Sequence, residues 1–241
     1  MGRGFASSGR VNQSPPSEKP TAFTTLTHLV LLIQLGEDPS EVNARGAMPN
    51  SMATPSRQQT YLVDVGYGGV GIVRPMLLEA GHIVSGSSVP EEHRLVRAMH
   101  PDSSLHDTES SRDWVLQYRC GSRQPDWTTL YMFSETETFS CDWIAYSQWL
   151  CTHPVKLFRE NVIAILHFVI QDEAGRDDPL GAPLGRLVMT GKRVQKRIGT
   201  QSETIKEFHT ERDRVRILKE DFGIIVDECE VRNIKHPAAL P

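Results

Sequence analysis

Short segments rich in apolar residues and bounded by polar stretches run through the first half of the chain and predict β-strands. One covers residues 25–35 and another residues 59–65, and both are rich in β-branched and aromatic side chains. Residues 114–119 and 127–133 alternate with period two on either side of a short turn, which is typical of a β-hairpin. Several antiparallel strands in succession predict a barrel or a strongly curled sheet.

The pattern changes after residue 133, where helical spacing appears beside further strands. Residues 142–150 carry apolar side chains at helical spacing and predict a short helix. A last helix is predicted to begin after Thr210, a natural N-cap, and to end at Gly223. Three further segments predict strands, the first of them a dense apolar run expected to be buried: residues 162–170, 185–190 and 192–198.

Composition divides the chain into four predicted parts. Residues 1–20 are rich in Gly, Ser, Pro and Arg and predict a disordered arm. Residues 21–133 hold the barrel strands, with a long polar loop insertion at 36–58. Residues 134–160 predict an interdomain helical linker, and residues 161–241 predict a small α/β lid domain. The predicted fold class is therefore α+β, with an antiparallel β-barrel-like domain followed by the lid.

The overall charge and the cysteines limit the classes of partner. The chain has 241 residues, 39% of them apolar and 23% charged, and a net charge of −4. This balance gives no electrostatic reason to expect nucleic acid or an anionic membrane as a partner. Its four cysteines are scattered and form no metal-binding or disulfide pattern, which suits a reducing compartment. We expect a cytoplasmic protein without a metal.

Two polar residues in the predicted strands are candidates for chemistry. His28 lies near the start of the first long strand, and Asp64 lies between two valines just before a turn that contains Gly66 and Gly68. If these strands are neighbours, the imidazole and the carboxylate form the orienting half of a nucleophile–His–Asp arrangement. In the alternative interpretation, His28 binds a backbone carbonyl, and Asp64 only initiates the glycine turn.

Several motifs resemble the arylamine N-acetyltransferases, with the fungal members closest. The resemblance runs from about residue 9 to about residue 225, and its V-D-V-G-Y-G signature is fairly specific. It implies a cysteine-protease-like superfold and a ping-pong reaction, in which a cysteine carries an acetyl group from acetyl-CoA to an arylamine or hydrazine. The segments that carry the resemblance are residues 27–31, 62–68, 127–133, 187–194 and 212–224.

The resemblance also implies roles for particular residues. His28 takes the position of the catalytic base and Asp64 that of its orienting carboxylate. A second group of residues takes positions expected to bind substrate: Thr24, Thr25, Gly66, Tyr67 and Gly68. At the position of Thr25 the family usually has glycine. From the residues alone, Tyr67 is equally well explained as a turn aromatic packed on the core.

The nucleophile that the resemblance implies has no counterpart in this sequence. In the family it lies in an Arg-Gly-Gly-x-Cys segment of an N-terminal helical domain, whereas the first cysteine here is Cys120. We therefore expect an N-terminally truncated chain without that domain, and a gene-model error is one hypothesis for it. Its activity in this form is in question. The alternatives are a catalytically dead remnant that binds CoA or a small aromatic, an interaction protein, and a hydrolase of the cysteine-protease type.

Overall fold

The computed structural model of the chain contains two compact units. It describes residues 3–13, 22–35, 59–121, 124–152, 160–170, 181–233 and 238–241. The predicted loop insertion at 36–58 lies outside the described residues. The first unit comprises Met1–Val84, Glu92–Arg119 and Asp126–Tyr146, and the second comprises Ser85–Glu91, Cys120–Pro125 and Ser147–Pro241.

An eight-stranded sheet accounts for most of the described N-terminal half. Its strands lie in the order β4-β3-β2-β1-β8-β7-β6-β5. Along β1–β4 and between β1 and β8 the pairing is antiparallel. The strands are β1 (Arg3–Asn12), β2 (Phe23–Gln34), β3 (Thr60–Val63), β4 (Met76–Leu77), β5 (Ile83–Ser85), β6 (Glu91–Ala98), β7 (Asp113–Cys120) and β8 (Gln124–Phe133).

This sheet curls until it nearly closes. The segment after β4 meets β6 through a parallel bridge between Ala80 and Leu95, and the Gly81 amide donates to the Leu95 carbonyl at 2.7 Å. One end of the strand order therefore returns towards the other, as in a barrel. The predicted antiparallel, barrel-like fold is confirmed.

The N-terminal segment differs from its prediction as a disordered arm over residues 1–20. Arg3–Asn12 forms β1, which pairs with β2 on one side and with β8 on the other. Its small polar side chains are satisfied after burial, since Ser7 Oγ donates to the Ser134 carbonyl at 2.7 Å and Ser8 Oγ donates to Thr138 Oγ1 at 3.3 Å. Composition indicated disorder because glycine and serine carry little apolar surface. Pairing on both edges supplies the stabilisation instead.

The second sheet and most of the helical residues belong to the C-terminal part of the chain. The sheet order is β12-β11-β10-β9, with antiparallel neighbours. The strands are β9 (Ile163–Val169), β10 (Leu184–Thr190), β11 (Arg193–Ile198) and β12 (Gln201–Glu207). The helices are α1 (Ser140–Thr152), α2 (Glu211–Phe222) and α3 (Glu228–Val231), with a 3₁₀ turn at Glu109–Ser111.

Helix α2 confirms the signals found at both of its ends. Thr210 Oγ1 accepts a hydrogen bond from the Asp213 amide at 3.1 Å, and Gly223 ends the helix with φ of 69°. The apolar face of α2 is buried in a core that includes Met189 and Val194 from the sheet. Strand β9 differs from its prediction as a buried strand, because Leu166 and Val169 are 38% and 51% exposed.

The second unit also contains the short segment Ser85–Glu91, which a purely sequential division would place in the barrel. Glu91 forms an ion pair with Arg186 on β10, and both residues are buried. Ser87 Oγ donates to the second Glu91 oxygen. A buried carboxylate must be paired in this way, and the pairing groups the segment with the second sheet.

Candidate functional site

His28 and Asp64 meet through the register of two neighbouring strands. Leu31 pairs with Val63 and Leu32 with Leu62, so the same register continued places Asp64 opposite Val30. His28 lies two residues from Val30 and therefore on the same face of β2. His28 Nε2 lies 2.8 Å from Asp64 Oδ2, and both residues are buried. The imidazole and the carboxylate are therefore in contact, as the sequence predicted.

The second carboxylate oxygen holds the turn that follows β3. Asp64 Oδ1 accepts hydrogen bonds from the amides of Gly66 and Tyr67, each at 3.0 Å. The two interpretations of Asp64 are therefore compatible, since one oxygen caps the turn while the other binds His28. Burial raises the pKa of Asp64, but its bond to His28 and the His28 charge, followed by Tyr131 and the Tyr67 amide, lower it below its ordinary value. The group is a carboxylate at neutral pH.

Two tyrosines surround the imidazole. The Tyr67 ring meets the His28 ring edge-on with centroids 5.5 Å apart, and the Tyr131 ring lies 4.7 Å from it. Burial and the Asp64 charge raise the pKa of Tyr67 to about 12 and that of Tyr131 well above 10. Both phenols therefore stay neutral. Of the three groups Tyr67, Tyr131 and Asp64, the anion beside His28 is the Asp64 carboxylate.

Tyr131 is the site residue that sequence reasoning missed. Its hydroxyl is fully buried and influences Asp64, yet that oxygen meets no hydrogen-bond partner of ordinary geometry among the described residues. Tyr131 is therefore an electrostatic neighbour of Asp64 rather than a hydrogen-bonded one. The signal was available, because Tyr131 lies in the 127–133 segment of the resemblance. Apolar alternation alone did not separate it from core aromatics.

The hydrogen bond to Asp64 determines which imidazole nitrogen is available. A carboxylate accepts, so Nε2 of neutral His28 carries the proton and Nδ1 has the lone pair. Within the described residues His28 makes no second hydrogen bond. The alternative of a histidine tied to a backbone carbonyl does not hold here. Nδ1 is thus the atom that can take a proton from an incoming group.

The remaining predicted site residues divide into two groups. Gly66 lies against the imidazole, since a Cβ there would be 3.7 Å from His28 Cε1, and Gly68 adopts φ of 62° in the turn. Thr24 instead holds the irregular start of the β1–β2 pair, where its Oγ1 accepts from the Val11 amide at 2.9 Å. Thr25 is exposed. Substrate binding by these residues and by Tyr67 stays a prediction.

None of the four cysteines is among the residues that contact His28 in the described part of the chain. All four are free, with Cys120 buried at the end of β7 and the other three exposed on helices α1 and α3. The described residues therefore show an imidazole bound to a carboxylate, and no thiol beside the imidazole.

The described residues contain neither a metal-binding cluster nor a membrane-spanning helix. Across the described ranges, no cluster of three or more His, Cys, Asp or Glu side chains is arranged to hold a metal ion. No helix in that part of the protein has the length and apolar character needed to span a membrane.

The described residues combine a barrel-like antiparallel sheet of cysteine-protease-like fold with a buried His–Asp pair. A family model described as N-acetyltransferase matches residues 51–231. The chain belongs to this family, the arylamine N-acetyltransferases, which confirms the assignment made from the motifs.

Two curated relatives are fungal enzymes. The chain is 26% identical over 183 residues to N-malonyltransferase FDB2 of Gibberella moniliformis. It is 29% identical over 185 residues to N-malonyltransferase FDB2 of Fusarium pseudograminearum. Each match covers 75% of this chain and 51% of the relative. The chain thus spans about half the length of these curated relatives.

Solved structures share the fold. The arylamine N-acetyltransferase of Mycobacterium abscessus aligns with a TM-score of 0.64 at 18% identity, over 95% of this chain and 63% of that one. The Mycobacterium marinum enzyme in complex with CoA aligns with a TM-score of 0.58 at 23% identity, over 98% of this chain and 65% of that one. At these identities the likeness establishes the architecture alone.

Proposed function

We propose that this chain provides the general base and its orienting carboxylate for transfer of an acyl group from an acyl-CoA to an arylamine or hydrazine. The observation that carries the proposal is the buried 2.8 Å contact between His28 Nε2 and Asp64 Oδ2, which leaves Nδ1 available. The CoA named with one structural neighbour, and the malonyl transfer named for the curated relatives, support an acyl-CoA donor. Acetyl and malonyl groups are both candidates.

The proposed reaction is ping-pong covalent catalysis through a cysteine thiol, which the described residues do not place beside His28. His28 Nδ1 takes the thiol proton, the thiolate attacks the thioester carbonyl carbon, and CoA leaves as a thiol with the proton from the imidazolium. The amine nitrogen then attacks the acyl-cysteine carbonyl and passes a proton to Nδ1. The cysteine leaves as a thiolate, which takes this proton back from the imidazolium and so restores the neutral base. Asp64 holds the ring orientation and stabilises the imidazolium throughout.

The part of this scheme assigned to the described residues is the proton transfer at His28. It is tested on the 241-residue chain by following exchange of the acyl group from acetyl-CoA or malonyl-CoA to an added small thiol, N-acetylcysteamine, by chromatography. Positioned general-base catalysis is typically worth about 10²- to 10⁴-fold, so exchange above the buffer rate by that order is expected. The exchange should disappear in His28→Asn.

A matched control separates the base from a general effect of removing a histidine. His82 is exposed, and His82→Asn makes the same change away from the pair. Exchange that is unaffected by His28→Asn, or absent in the parent chain, contradicts the proposal.

The second candidate function is binding without turnover, favoured by the absence of any cysteine among the described contacts of His28. An assay with acyl-CoA and para-anisidine, read by mass spectrometry, separates the two. N-acylated product together with a singly acylated cysteine in the intact mass supports the full transfer. CoA binding without exchange or product supports the catalytically dead alternative.

A further inference from the structure

A cluster of two arginines and one tryptophan lies on the barrel at a distance in sequence from the His–Asp pair. The guanidinium carbons of Arg94 on β6 and Arg119 on β7 lie 4.3 and 4.5 Å from the ring centroid of Trp127 on β8. Arg94 Nε also donates to Gln117 Oε1 at 2.8 Å. Stacking on an indole holds both cations in fixed, partly dehydrated positions.

The three strands carry this cluster on one face. Residues two apart on a strand lie on the same face. The face that carries Arg94, Arg119 and Trp127 therefore also carries Val96, Gln117 and Thr129. On this face both arginines, Trp127, Val96 and Gln117 are half-buried and Thr129 is buried. The alternate residues Leu95, Leu116 and Leu130 are all buried.

An apolar cavity begins where the cluster ends. It has a volume of about 690 Å³, within the range of small-molecule sites, and its walls include Val96, Val115, Gln117 and Thr129 from the same face. Leu105 of the loop after β6 is also part of the lining. Gln117 therefore both lines the cavity and binds Arg94, which makes the cavity and the arginines continuous.

The charges favour an anion at the arginine end. Glu92 pairs with Arg119, but within the described ranges no carboxylate pairs with Arg94, so one positive charge remains in excess. Partial burial and then the Arg119 charge lower the pKa of Arg94. The one carboxylate in the cavity lining, Asp107, is occupied by Arg112 through bonds of 2.6 and 3.0 Å.

We propose that this face binds an amphipathic organic anion, with its apolar or aromatic body in the cavity and its carboxylate, sulfonate or phosphate group on Arg94 and Arg119. The apolar wall explains affinity for the body, and the two guanidiniums supply the charge-assisted hydrogen bonds that select a negative head group. None of the cavity-lining residues is a member of the His28–Asp64 pair, so the site is independent of the proposed acyl transfer.

Two fluorescent probes that differ only in their charged group test the proposal. Anilinonaphthalene sulfonate carries the anion, and its parent phenylnaphthylamine is neutral. Binding of one sulfonate probe per chain is expected, and Arg94→Gln and Arg119→Gln should each weaken it about tenfold, as expected for loss of a charge-assisted hydrogen bond. The neutral probe should bind both variants as it binds the parent chain.

Control variants separate this site from general attraction to apolar or basic surface. Arg212→Gln removes the same charge from an exposed position on α2 and should change neither probe. Ala98→Phe places a ring in the cavity and should weaken both probes. If the arginine variants lose affinity equally for both probes, the proposal is wrong. It is also wrong if the arginine variants bind the sulfonate probe as the parent chain does. The arginine variants decide the question even if Ala98→Phe fails to fold.

Discussion

Replacing Asp64 with asparagine should reverse the tautomer of His28 while leaving the fold in place. The substitution keeps the shape of the side chain and removes its charge. Asp64 accepts from Gly66 and Tyr67 through one oxygen and binds His28 through the other. An asparagine has one acceptor oxygen and one donating amide group, so it can serve only one of these two sides unchanged.

The energies decide which side keeps the oxygen. Turning the amide group towards Gly66 and Tyr67 would lose two backbone hydrogen bonds, each worth about 1 kcal/mol. Keeping the oxygen there makes the amide donate to His28 Nε2, which then must carry a lone pair. A neutral imidazole can meet that demand by holding its proton on Nδ1. We expect the second arrangement, together with a loss of about 2 kcal/mol for the hydrogen bond to a charged group.

The consequence for chemistry is direct. With its proton on Nδ1, His28 can no longer accept a proton from a thiol at that nitrogen, and acyl exchange should fall by about 10²- to 10⁴-fold. Nitrogen-15 spectroscopy of the histidine side chains at about pH 9, well above the ordinary imidazole pKa of about 6.5, reports the tautomer directly. Protonated Nε2 is expected in the parent chain and protonated Nδ1 in Asp64→Asn.

Asp107→Asn provides the matched control, because it removes a carboxylate that bonds to Arg112 at the surface. It should leave the His28 spectrum unchanged. A parent-like His28 tautomer in Asp64→Asn would refute the reasoning, since it would mean that the carboxylate does not select the proton position.

Three stability predictions follow from other contacts. Because the folded pKa of Asp64 is depressed, its stabilisation is present above its ordinary pKa of 3.8 and is lost as pH falls through the folded value. The difference in free energy of unfolding between the parent chain and Asp64→Asn, measured in urea, should therefore become smaller in acid. A difference that does not change with pH would contradict this. Arg186→Met removes the cation that pairs with buried Glu91 and should lower the free energy of unfolding by about 3–5 kcal/mol, with partial recovery on adding Glu91→Gln. Losses that simply add in the double variant would show that the pair is not coupled. Thr210→Ala should lower the free energy of unfolding by about 1 kcal/mol and Thr210→Ser by much less. Equal losses in the two variants would show that the hydroxyl does not cap the helix.

The local pattern predicted the elements whose signals lie close together in the chain. The β-branched and aromatic residues around His28 and Asp64 identified two strands, and their order along the chain suggested that they pair. Thr210 and Gly223 marked the ends of a helix that forms as predicted, because capping is satisfied by atoms within one turn.

Long-range contacts decided the features that the pattern missed or misassigned. Residues 3–12 looked disordered by composition, yet two partner strands distant in sequence order them. The hydroxyl of Thr24 accepts a hydrogen bond from the Val11 amide on β1, a contact that the pattern of β2 alone did not predict. The importance of Tyr131 depends on the ring and carboxylate that fold against it.

The sequence by itself determined the residue types of the proposed centre, since a strand that ends in V-D-V-G-Y-G and a strand that carries T-H-L can be recognised locally. Only the tertiary structure decided that Nε2 faces the carboxylate and that Nδ1 has the free lone pair. The physical reason is that a periodic pattern specifies which face of a strand a side chain occupies. The atom that it presents depends on which strand pairs beside it, and in which register.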